Sequence, residues 1–63
     1  MLQKKLLGSV YVVGSPDSYC VRDNNVHYTA AEFEDLRWLV PEISKKLDDA
    51  LRSFPEGWEE VKK

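Results

Sequence analysis

One cysteine and one histidine in 63 residues leave little room for catalytic or metal chemistry. A single thiol cannot close an internal disulfide, and no Cys/His cluster with zinc spacing exists. Long apolar runs are missing as well. No stretch of about 18 apolar residues occurs, which excludes a membrane-spanning helix. No G-x-G-x-x-G, P-loop, H-E-x-x-H, EF-hand loop or paired C-x-x-C is present, so nucleotide, metalloprotease and calcium chemistry have no sequence signature here. There is no internal repeat and no low-complexity segment. Catalytic, cofactor-binding and metal-binding residues are accordingly expected to be none.

Size sets a further limit. A chain this short forms one domain and buries only about 60% of its unfolded surface. Without a disulfide or a metal, its stability must come from good packing, self-association or a larger partner. The opening Met1–Leu7 has two lysines and a short apolar run, as a signal peptide does, but Gly8 and Ser9 interrupt it and no A-x-A-like site follows. The lone Cys20 fits a reducing compartment. These features read as a soluble, cytoplasmic chain with no membrane association.

The net charge is −2, which opposes bulk attraction to nucleic acid or anionic lipid. Its distribution is uneven. Up to Tyr28, three bases face two acids; from Thr29 onward, nine acids face six bases. Glu34, Asp35, Glu42, Asp48, Asp49, Glu59 and Glu60 could be taken for a phosphate-mimicking surface. The interspersed Arg37, Lys45, Lys46 and Arg52 argue instead for a solvated helix face.

The strongest positive signal is a change of apolar rhythm at Thr29. Before it, Val10 and Val12, Tyr19 and Val21, and Val26 and Tyr28 alternate with period two, the mark of strands with one buried face. After it, Phe33, Leu36, Val40, Ile43, Leu47, Ala50 and Phe54 recur at three-four spacing, the mark of a helix with one buried stripe. Strands are expected at about Ser9–Val13, Ser18–Arg22 and Asn25–Tyr28. A four-residue turn Gly14-Ser15-Pro16-Asp17 joins the first two, pairing Val12 with Tyr19 and Val10 with Val21. A two-residue turn at Asp23-Asn24 joins the next, pairing Val21 with Val26 and Cys20 with His27. The alternative turn at Asn24-Asn25 places Asp23 on the apolar face and is disfavoured on that ground.

Thr29-Ala-Ala-Glu32 is a capping box that opens the helix, with Tyr28 and Phe33 in hydrophobic-staple positions. The stripe crosses Pro41 in phase and Val40 is a poor N-cap. One helix from Ala30 to about Ser53, kinked at Pro41, is therefore expected rather than two. Phe54-Pro55-Glu56-Gly57 ends it. The fold expected is α+β: a three-stranded antiparallel β-meander followed by one long Pro-kinked C-terminal α-helix packed on one sheet face. The whole forms a single βββα domain over residues 1–63. Its tail, from about residue 55, carries Trp58 and Val61 back onto the domain and frays at Lys62 and Lys63.

The outer sheet face then collects Tyr11, Val13, Cys20, Arg22 and His27, more apolar than a face turned only to water. The first strand is expected at a sheet edge, open to pairing with another chain. Cys20 and His27, as expected cross-strand neighbours, could be read as a thiolate–imidazole pair or as half of a metal site with Asp23 or Asp17, but no third orienting group and no evident pocket accompany them, which favours a neutral surface pair. Trp38 lies off the helical stripe, either packed on the flank or displayed as an interface residue. The expected partner-binding residues are Tyr11, Val13, Cys20, Arg22, His27 and Trp38. The function expected is a non-enzymatic protein-binding module with no cofactor. It would be a small regulator or inhibitor, of the class that includes phage-encoded blockers of host defence nucleases, acting on a larger protein or as a homodimer. A dimeric nucleic-acid-binding regulator is the alternative.

Overall fold

The computed structural model describes residues 1–61. Five strands form one antiparallel sheet: β1 (Leu2–Leu7), β2 (Val10–Ser15), β3 (Ser18–Asp23), β4 (Val26–Thr29) and the short β5 (Glu59–Glu60), in the spatial order β4-β3-β2-β1-β5. Helix α1 (Ala30–Glu34), a 3-10 turn (Arg37–Leu39) and helix α2 (Pro41–Ser53) cover one face. The class is the expected α+β with an antiparallel sheet and one long helix, but the sheet is not a three-stranded meander.

Two strands were not expected from the residues, β1 and the short β5, and β1 is the larger. Leu2, Lys4 and Leu6 share one side of it, and Lys4 stands opposite Val12 on the inner face. A lysine at an inner position, and a bulge between Lys5 and Leu7, break the alternation that would announce a strand. The lysine is tolerated because its stem lies along the sheet while its ammonium reaches the edge, over Gly57. A Cβ on Gly57 would come within 2.9 Å of Lys4 Nζ. With β1 in place, the strand expected at the edge, β2, becomes central.

Both predicted hairpin registers are displaced by two residues. The first turn is Pro16-Asp17, which pairs Ser15 with Ser18, Gly14 with Tyr19 and Val12 with Val21. Gly14 makes this possible: at φ 122° it brings its backbone so close to Ser18 that a Cβ would lie 2.4 Å from the carbonyl oxygen. The second turn is Asn24-Asn25, pairing Asp23 with Val26, Arg22 with His27, Val21 with Tyr28 and Cys20 with Thr29. Asn24 takes φ 54°, a conformation that asparagine adopts readily. The charge that counted against this register is accommodated, because Asp23 sits at the sheet's end and accepts a hydrogen bond from Ser9 Oγ at 2.8 Å. A slip of two preserves the side each residue faces, so the inner and outer faces keep their expected membership.

The core is Leu6, Val10, Val12, Val21, Phe33, Leu47 and Ala50, with Tyr19, Tyr28, Val40, Ile43, Leu51 and Trp58 packed around it. Every position of the helical stripe is buried or half-buried within this one chain. The stripe is not one kinked helix. Pro41 is the first residue of α2, and Val40 before it leaves helical geometry at φ −133°, ψ 63°. A residue preceding proline is sterically driven out of the α region, and proline at the first helical position sacrifices no hydrogen bond. The capping box is present as read: Thr29 Oγ1 accepts from the Glu32 amide at 3.2 Å, and Glu32 Oε1 accepts from the Thr29 amide at 2.9 Å.

The tail does fold back. Trp58 packs edge-on against Phe54, with ring centroids 4.9 Å apart, and its indole N–H donates to the Ala50 carbonyl at 3.1 Å. Glu59 and Glu60 pair with β1, and the Val61 amide donates to the Met1 carbonyl at 2.9 Å. The fraying expected at Lys62 and Lys63 lies outside the described residues. Thr29→Ala should cost about 1 kcal/mol. In a domain of this size, that lowers Tm by roughly 4–8 °C, measurable by circular dichroism.

Candidate functional site

The outer face of the sheet is built by strict alternation, and two cross-strand rows traverse it. Lys5, Tyr11, Arg22 and His27 stand opposite one another on β1, β2, β3 and β4. The neighbouring row is Glu59, Gln3, Val13, Cys20 and Thr29. Five of the six residues expected to bind a partner, Tyr11, Val13, Cys20, Arg22 and His27, are therefore on this face together. Tyr11 and Val13 are half-buried; Cys20, Arg22 and His27 are exposed.

Cys20 and His27 are not the directly opposed pair that was expected. Cys20 faces Thr29 and His27 faces Arg22, so the thiol and imidazole are diagonal neighbours. Both line a groove of about 360 Å³ whose apolar walls include Val13, Met1 and Val61. Met1 and Val61 extend the face beyond the residues the sequence singled out. They arrive only through the pairing of the two chain ends, which no local pattern encodes. Among the described residues, no three His, Cys, Asp or Glu side chains converge as metal ligands would, and no helix is long and apolar enough to cross a membrane.

Neither Lys5 nor Arg22 has an ion-pair partner among the described residues. The helical layer is the reverse. There, Arg52 pairs with Asp49 at 2.6 Å, and Arg37 reaches both Glu34 and Asp48 while its Nε donates to Ser44 Oγ at 2.7 Å. The acidic helix face is thus partly neutralised by its own bases, as the interspersed cations suggested.

Trp38 belongs to this second layer and does not join the other five residues. It stands on the 3-10 turn with 76% of its surface exposed, beside Leu39 at 55%. Of the two readings of Trp38, flank packing fails. The 3-10 turn is held by the Arg37 clasp, which ties α1 to α2 across the break at Val40. The bonds to Asp48 and Glu34 keep the guanidinium protonated beyond its ordinary range. The nearby Tyr19 phenol is pushed up, first by burial and then by the charge of Glu34, with Arg37 opposing. A raised phenol pKa means that the contribution of neutral Tyr19 to stability is complete below about pH 10 and is lost as pH rises through the folded-state value. Arg37→Ala should reduce stability by about 1 kcal/mol, as exposed and half-exposed ion pairs do. It should also move the Tyr19 titration further upward, since the opposing cation is gone. Urea denaturation and ultraviolet titration of the phenol measure the two effects.

Comparison with protein-family models, with curated proteins and with solved structures finds no match to this chain.

Proposed function

We propose that this chain is a non-enzymatic protein-binding module, a small regulator or inhibitor that occupies a site on a larger protein through its outer sheet face. The observation that carries the reading is that, among the described residues, this face has no helix over it and no acid paired with Arg22, yet has Tyr11 and Val13 at its centre. Tyrosine and arginine around an apolar centre, with a groove alongside, are the composition of an interface core. A face built on hydrogen-bonded strands also loses less entropy on docking than a loop would. The diagonal Cys20 and His27 act here as contact residues.

A double variant tests this. Tyr11→Glu with Val13→Glu should weaken capture of the partner from source-cell lysate by at least about tenfold, the loss expected for two central contacts. The cooperative thermal transition should remain, because both side chains point away from the core. Unchanged capture would remove the outer face from consideration.

One observation favours nucleic acid as a second reading: Tyr11 stands in register between Lys5 and Arg22, an aromatic side chain flanked by cations on a sheet. The overall charge of −2 opposes it. On this reading, affinity for single-stranded oligonucleotide falls steeply with added salt, with a slope set by the two or three phosphates neutralised. A fluorescence-polarisation titration at low and physiological salt measures that slope, and absence of binding at low salt removes the reading.

A further inference from the structure

On the opposite side of the molecule the helical layer does not close fully over the sheet. Between the 3-10 turn and the ends of β2 and β3, an apolar notch of about 210 Å³ opens, walled by Val10, Tyr28, Phe33, Leu39 and Ile43, with Asp23 at its rim. A cavity of about 150 Å³ with similar lining holds a benzene ring. This notch therefore has room for one aromatic or large aliphatic side chain. Leu36, Leu39 and Val40, from the stretch between α1 and α2, line it alongside the strand residues.

The surroundings specify what kind of partner supplies that side chain. Arg37 is the only lysine or arginine between Asp23 and Ser44, and it is already engaged by Glu34 and Asp48. Asp23, Asp35 and Glu42 have no ion pair among the described residues. Asp35 and Glu42 are exposed and directly precede the notch residues Leu36 and Ile43. Exposed Val26, opposite Asp23 on β4, extends the apolar rim. Trp38, on the same turn as Leu39, presents an aromatic surface of the type that attracts guanidinium and ammonium groups. A second copy of this chain is a poor occupant, because a two-fold contact would set these acids against their own counterparts.

We infer that the notch is a second docking site, distinct from the outer face, for a protein segment that carries one bulky apolar side chain flanked by basic residues. The apolar side chain fills the notch, and the flanking cations meet Asp23, Asp35 and Glu42 and lie against Trp38.

The test uses the full isotope-labelled chain and three capped peptides: phenylalanine flanked by arginines, the same with serine for phenylalanine, and phenylalanine flanked by glutamates. The arginine–phenylalanine peptide should shift the amides of Leu36, Leu39 and Val40 saturably, and the affinity should fall as salt is added. The serine and glutamate peptides should bind at least about tenfold more weakly, because each removes one of the two attractions. Leu39→Ser, at a half-exposed position that leaves the core intact, should weaken the first peptide by about tenfold. Glu42→Lys should narrow or reverse the preference between arginine and glutamate peptides. The inference is overturned if no peptide shifts these amides, if the glutamate peptide binds as well as the arginine one, or if shifts map to Cys20 and Arg22. It is equally overturned if the same amides move with protein concentration alone and sedimentation shows a dimer.

Discussion

Everything in this molecule depends on covering one face of a small sheet with one helical stripe. Val12 and Val21 face each other across β2 and β3, and together with Leu47 and Ala50 of α2 they form the part of the core that is almost wholly removed from water. No disulfide shares the load, since Cys20 is single and exposed. A domain of this size has little surplus, so the loss of any one of these contacts removes a large fraction of its stability. The accessory devices are placed around that centre. The Thr29 capping box starts the helical layer, and the Arg37 clasp ties its two parts together. Trp58 then closes the far end by bonding to the carbonyl of Ala50 itself.

Covering one face leaves the other without a helix over it among the described residues. The helical layer satisfies its arginines internally, through Glu34, Asp48 and Asp49. The outer face keeps Lys5 and Arg22 without acidic partners among the described residues. The two surfaces therefore differ in chemistry. One is a sheet face with Tyr11, Val13, Lys5 and Arg22; the other has an apolar notch with Asp23 at its rim.

The division between what was legible in the residues and what was not follows from the range of the interactions. Parity along each strand is a local property: Tyr11, Val13, Cys20, Arg22 and His27 were assignable to one face because side chains alternate, and a register error of two residues left that assignment intact. The capping box at Thr29 and Glu32 is equally local, being closed within one turn. Register was not legible, because it hinged on Gly14 taking φ 122° and on Asp23 finding Ser9, a residue fourteen positions away. The break at Pro41 was ambiguous for a related reason. An apolar stripe that keeps phase across a proline is compatible with one bent helix or two, and Val40 alone shows which.

Strand β1 and the ends of the chain mark the limit. Leu2–Leu7 carries a lysine where an apolar residue belongs and a bulge where alternation should continue, so its place beside β2 comes from Leu6 reaching the core and not from its own pattern. Met1 and Val61 come together because β5 adds to β1, at a separation along the chain that no periodicity spans. Short-range order, the alternation of faces and the helix start were written in the residues, because steric and hydrogen-bonding preferences act within a few positions. The edge strands, the exposure of Trp38 and the notch beside it were settled by packing, because burial is a property of everything that surrounds a residue and not of the residue alone.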